Sequence, residues 1–255
     1  MAKKKSTATR RQESQAASAR AAAIRQAQER KERRRRSLVV TGVGVVVAAL
    51  IVVIFTVYRG SQDTGGTSTS AVPAGAGRYF VPAGSPSAPT TVTIYEDFLC
   101  PYCGQLEAAT RTKLQAGIDA GHVQVRYHVL DFLGRSSSTE YSLRAANALA
   151  VVLDASGPKV AKKFHDLLYE HQPAEGSAGL SDGQLVDYAV QAGATRSAVT
   201  SGISDQSYKT WVERGTDQAS KDGVNATPTV KIDGKAVEGS IGEMAAEIDQ
   251  AAAGS

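Results

Sequence analysis

Cys100 and Cys103 are the two cysteines of this 255-residue chain, and Pro101 and Tyr102 separate them. A two-residue spacer brings both sulfurs within reach of one disulfide while keeping the loop tight. A β-branched and aromatic run, TTVTIYEDF (Thr90 to Phe98), leads into the pair and reads as a strand. Leu106, Thr110, Leu114 and Ile118 follow at helical spacing. The pair thus stands where a strand hands over to a helix. Backbone N–H groups and the dipole at a helix N-terminus stabilise an anion, so the Cys100 thiol is expected to ionise below its usual pKa. Pro101 fits the first helical turn, where no N–H is needed.

Three chemistries compete for the pair. A redox-active dithiol is the leading one. An inert disulfide across so short a loop would remove little chain entropy. A metal site would draw on His122, His128, His165 or His171, but none stands at paired ligand spacing with the cysteines. Two cysteines also exclude a disulfide-stapled scaffold and a four-cysteine zinc site.

The elements needed to hold the pair follow in order. Gly121 marks a turn, and VQVRYHVL (Val123 to Leu130) alternates as a second strand. A helical block comes next. Leu143, Ala146, Ala150 and Leu153 share a face, as do Val160, Phe164, Leu167 and Leu168. Ser181 and Gln184 make a capping-box pattern, and Gly193 closes that helix. Tyr208, Val212 and Ala219 mark a further helix ending at Gly223. A strand over Thr229 to Asp233, a turn at Gly234 and Lys235, a short strand around Ala236 to Glu238 and a helix from about Gly242 to Ala251 complete the order. That order is β–α–β, a helical insertion at about 135–204, then α–β–β–α. Trp211 is expected in the core and Lys162 and Lys163 on a solvated face. His128 is expected as a core or surface histidine, with a place near the cysteines as the alternative.

Apolar residues are 42% and charged residues 21%, near the globular average. The net charge of +4 averages two unlike parts. Residues 1–36 carry thirteen Lys/Arg against three Glu, a net of +10, which leaves −6 for the rest. Residues 38–58, LVVTGVGVVVAALIVVIFTVY, hold no charge. A helix needs about 20 apolar residues to cross a bilayer. Four arginines (Arg33 to Arg36) flank one end and only Arg59 the other, so the positive-inside bias puts the tail in the cytoplasm. The expected domains are a basic cytoplasmic tail (1–36), a transmembrane anchor helix (37–58), a flexible linker (59–81) and an extracytoplasmic domain (82–255). Within the linker, RYFVP (Arg78 to Pro82) reads as a short strand or a docking segment. A cleaved signal peptide and a buried core helix are the alternatives to the anchor. The apolar run exceeds the usual 7–15 residues or so of a signal peptide, and YRGSQD rather than a small-x-small site follows it. The tail is expected to touch anionic lipid and not nucleic acid, since no aromatic residue interleaves its charges.

TIYEDFLCPYC, the insertion after the second strand, and VNATPTVKIDGK near the C-terminus resemble the DsbA-like branch of the thioredoxin superfamily over about residues 82–251. The resemblance implies an α/β thioredoxin-like fold with a helical insertion. It implies that Cys100 is the solvent-exposed nucleophile and Cys103 the buried resolving cysteine, with Pro101 and Tyr102 tuning the pair. It also implies a cis-proline at Pro228 beside the cysteines, with Thr227 offering backbone groups to an extended substrate peptide. A plain strand-start proline is the alternative. No cofactor is implied beyond the redox-active disulfide. The chain departs from the family where members often carry a buried acid six residues before the first cysteine. Ile94 stands there. Glu96 and Asp97 are the candidate proton acceptors in its place, or else solvated or capping carboxylates. Ala226 stands where glycine is common.

These readings converge on a membrane-tethered, extracytoplasmic thiol–disulfide oxidoreductase. It is expected to introduce disulfides into exported proteins with free thiols and to be reoxidised by a quinone-coupled membrane oxidase. The alternatives are a reductase, fed by a membrane reductase, that serves cytochrome or metal-centre assembly, and a non-catalytic, chaperone-like binding module.

Overall fold

A computed structural model describes residues 71–254; the expected tail and anchor, and linker residues 59–70, lie outside them. Among the described residues no helix is long and apolar enough to cross a membrane.

The two β-branched runs that flank the first helix become β2 (Thr90–Glu96) and β3 (Val123–Val129). They pair in parallel, with Thr90 opposite Val123 and Glu96 opposite Val129. A parallel pair needs a crossover, and α1 (Pro101–Asp119) supplies it. β4 (Thr229–Ile232) adds antiparallel to β2, and β5 (Lys235–Val237) antiparallel to β4. β1 (Val81–Ala83) adds antiparallel to β3. The sheet order is β1-β3-β2-β4-β5.

Between β3 and β4 lie a single 3-10 turn (Gly134–Ser136) and five helices. These are α2 (Tyr141–Ser156), α3 (Pro158–Glu170), α4 (Asp182–Ala192), α5 (Arg196–Ser204) and α6 (Lys209–Lys221). The last helix, α7 (Ile241–Ala253), packs on α1. Gly117 makes that approach close: a Cβ there would lie 2.6 Å from the Ala252 carbonyl oxygen. The core runs through the sheet and the insertion, with Val92, Val125, Leu149, Leu153, Phe164 and Leu185 fully buried. Trp211 is buried as expected.

The capping pattern at Ser181 and Gln184 forms a complete capping box on α4, and Gly193 ends that helix at φ 118°. A second capping box, Ser240 with Glu243, starts α7. Several boundaries differ from expectation for local reasons. β2 stops at Glu96 because the Asp97 side chain accepts from the Leu99 N–H at 2.8 Å, which turns the chain out of the sheet. β5 starts at Lys235 because Asp233 and Gly234 both take left-handed φ, 49° and 80°, in a two-residue hairpin. Residues read as the end of the linker belong to the domain: Val81 pairs with Tyr127, and the Tyr79 ring lies 6.3 Å from that of Trp211.

Lys162 corrects the expectation of a solvated face. It is 6% exposed, pairs with Asp166 at 2.5 Å and lies over the Tyr127 ring, while Lys163 is exposed.

Candidate active site

The turn after β2 delivers Cys100 to the N-cap of α1, with φ −75° and ψ 116° and Pro101 opening the helix. The Cys100 carbonyl accepts from the Cys103 N–H at 3.1 Å and the Gly104 N–H at 3.3 Å. Gln172, just past α3, braces the same turn by donating to the carbonyls of Phe98 at 3.1 Å and Cys100 at 2.9 Å. Gly104 leaves room for it, since a Cβ there would stand 2.2 Å from Gln172 Oε1.

The loop before β4 faces the turn. The Thr227–Pro228 peptide is cis. The Cys100 thiol donates to the Thr227 carbonyl at 3.3 Å. Cys100, Pro101, Tyr102, Phe132, Leu133, Val224, Asn225 and Thr227 line an open cleft of about 510 Å³. Cys100 is 5% exposed, so it lies in the wall of this cleft and does not stand free in solvent as expected. Tyr102 is the exposed member of the motif, at 61%. Cys103 is buried on the inner side of α1.

The two thiols differ electrostatically. Hydrogen bonding from the Cys103 thiol lowers the Cys100 pKa to about 6, against the opposing effect of burial. The Thr227 side chain and the N–H groups of Cys103 and Tyr102 add to the lowering. Burial raises Cys103 well above an ordinary thiol, and so do its hydrogen bond to Cys100 and the charge of Cys100. At neutral pH the pair is therefore one thiolate and one thiol, which is the state a disulfide-exchange nucleophile needs.

The two neighbouring carboxylates are both buried, which corrects the solvated reading, and they have different surroundings. Asp97 accepts from the Leu99 N–H at 2.8 Å, the Phe132 and Leu133 N–H groups at 2.9 Å each and the Ser142 hydroxyl at 2.6 Å. Burial raises its pKa against the pull of those four donors. It clamps the cysteine turn to the cleft wall. Glu96 faces the other way and meets His165 Nε2 at 2.7 Å. A small cavity is lined by Ile94, Glu96, Cys103, Glu107, Arg111 and Pro228.

The remaining histidine expectation resolves away from the site. His128 stacks on Tyr95 at 4.5 Å and lines a different cleft with Arg126 and Lys231. Burial and those two cations lower its pKa to about 4. Sequence reasoning missed Gln172, Glu107 and the cleft residues Phe132 and Leu133, and it met His165 only as a possible metal ligand and Asn225 only as part of VNATPTVKIDGK. Gln172, Phe132 and Leu133 come from segments far from the cysteines in sequence, and none of the missed residues carries a local motif.

A thioredoxin family model matches residues 79–250. The crystal structure of reduced DsbA from Mycobacterium tuberculosis superposes with a TM-score of 0.57 at 30% identity, over 69% of this chain and 98% of that one. The disulfide bond oxidoreductase DsbG of the same organism gives 0.58 at 31%, over 71% and 96%. The Mycobacterium tuberculosis serine/threonine-protein kinase PknE is 33% identical over 121 residues, which is 46% of this chain but only 21% of that protein. The chain thus spans about a fifth of the kinase's length.

Proposed function

Because this chain belongs to the DsbA-like thiol–disulfide oxidoreductases of the thioredoxin superfamily, we propose that Cys100 and Cys103 are its redox pair and that it inserts disulfides into exported proteins. A substrate thiolate attacks the Cys100 sulfur of the enzyme disulfide. The Cys100–Cys103 bond breaks, and its electron pair goes to Cys103. A second substrate thiolate then attacks the substrate sulfur of the mixed disulfide, and Cys100 leaves as a thiolate. The substrate gains one disulfide, and the enzyme holds the two electrons as a dithiol. No other cofactor takes part.

The observation that carries this reading is Cys100 at the N-cap of α1, facing the Thr227 carbonyl and ionising near pH 6 beside a buried Cys103. A low-pKa thiolate leaves easily, and its stability in the reduced protein makes the disulfide form an oxidant. Thr227 and cis-Pro228 form the wall on which an extended substrate peptide lies, with Tyr102 at its rim. Asp97 shapes that wall, its oxygens held by four donors.

The domain works outside the cytoplasm on a single-pass tether. The uncharged run 38–58 and its flanking Arg33 to Arg36 support that arrangement. Anchoring in the lipid bilayer keeps the domain near a quinone-coupled membrane oxidase and raises the effective concentration of the two partners. Acid quenching of cells followed by alkylation with a mass-tagged maleimide reads the direction of flow. A pair found mostly as disulfide is expected. A pair found mostly as dithiol would replace the oxidase with a membrane reductase.

A further inference from the structure

The mechanism leaves one proton without a handler. When the enzyme disulfide opens, Cys103 emerges as a buried thiolate, and it must be neutralised where solvent does not reach. The acid that often does this in the family is absent, since Ile94 stands in its place. Asp97 is committed to four donors. On the inner side of Cys103 lies a cavity with about 10 Å³ of free space, room for about one water, and Glu96 shares its lining with Cys103. Glu96 in turn meets His165, which reaches in from α3 of the insertion.

We propose that Glu96 and His165 are the proton store of Cys103, the proton passing between the Cys103 sulfur and His165 Nε2 through the Glu96 carboxylate. The inference rests on Cys100 and Cys103 being the redox pair. On opening, Nε2 gives its proton to Glu96, and Glu96 gives one to the Cys103 thiolate. His165 is left neutral with its Nδ1 proton on Asp166, 3.0 Å away, and Glu96 is a carboxylate again. On closing, the path runs in reverse once His165 has released its own proton: Cys103 passes its proton to Glu96 and on to Nε2, becomes a thiolate, attacks the Cys100 sulfur and expels the thiolate bound there.

The surroundings hold His165 for this work. Burial opposes its charge, but Glu96 from β2 and Asp166 from α3 outweigh burial and raise its pKa to about 9. Glu107 and Arg111 of α1, Tyr127 of β3, and Lys162 and Tyr169 of α3 complete the titratable groups around it. Arg111 bridges Glu107 through two contacts of 2.6 Å and also pairs with Glu170 at the surface. Glu107, His165 and Asp166 come close enough to one another to invite a cation. Arg111 and Lys162 already balance those carboxylates, so the cluster is built for protons and not for a metal.

Rapid mixing of the reduced protein with oxidised glutathione tests the store. Attack by Cys100 gives a second-order rate, and closure by Cys103 gives a first-order plateau at saturation. In the wild type, closure is expected to rise with pH and level off above about pH 9, as His165 becomes neutral and able to accept. Glu96→Gln and His165→Gln are expected to lower the ratio of closure to attack by about 100-fold and to abolish the levelling. The plateau, and not the attack, is expected to slow in D₂O, which reads the store in the wild type should a variant not fold. An unchanged ratio with an unchanged profile, or no isotope effect on the plateau, overturns the store and leaves the redox pair intact. No reaction of the wild type with oxidised glutathione overturns both.

Discussion

Cys100 and Cys103 are three positions apart and chemically unlike. The helix N-terminus, Thr227 and the partner thiol all favour a charge on Cys100, and burial denies one to Cys103. Titration of thiolate absorbance in the reduced protein should show a step near pH 6 that Cys100→Ser removes. A first step only above pH 8 would mean that these contacts do not act on the sulfur. His165 makes a second residue-scale prediction. Its folded-state pKa of about 9 lies above the usual 6.5, so its contribution to stability is full below about pH 6.5 and is lost as pH rises through 9. In the oxidised protein, where the thiols do not titrate, denaturant unfolding should show a loss on the order of 2–3 kcal/mol between pH 6 and pH 10. His165→Gln should flatten that slope; an equal slope in the variant would contradict the assignment. The cysteines and Pro228 were legible in the sequence because each sits in a short local motif. His165 and Gln172 were not, because a polar residue on a long amphipathic helix or just past its end looks the same whether it faces water or a buried carboxylate.

At the scale of elements, the site is held by contacts between the insertion and the cysteine turn. Gln172 past α3 carries two carbonyl hydrogen bonds of that turn, and Gly104 on α1 makes the space for it. Gly104→Ala should push Gln172 away and cost about 1–3 kcal/mol, as two buried carbonyls lose a donor. Exchange activity should fall with it, whereas Ser240→Ala, which removes the side-chain cap of α7 and no hydrogen bond of the cysteine turn, should cost about 1 kcal/mol and leave the exchange rate unchanged. Comparing unfolding midpoints with exchange rates for the two variants checks this; equal effects on rate would mean that Gln172 does not shape the site. Strand and helix identities followed from periodicity. Their ends did not, because a side chain such as Asp97 or a left-handed pair such as Asp233 and Gly234 decides where a ladder stops.

At the scale of the molecule, the chain joins a thioredoxin-like domain to a basic, then uncharged, N-terminal segment. The order of elements and the insertion were readable from the sequence. The short strand in RYFVP was readable too, but its place inside the domain was not, since a Gly- and Ala-rich approach reads as linker up to residue 81. The full chain should sediment with membranes and resist alkaline extraction, with its domain open to external protease; release into the soluble fraction would contradict the tether. The most direct test of the central claim is transfer of the disulfide itself. Oxidised full-length protein mixed with a reduced, unfolded protein bearing two thiols should pass on one disulfide per enzyme. Cys103→Ser, with its free Cys100 thiol, should instead capture disulfide-bearing protein as a mixed disulfide on Cys100. Transfer that persists in Cys100→Ser, or its absence from the wild type, would contradict the account.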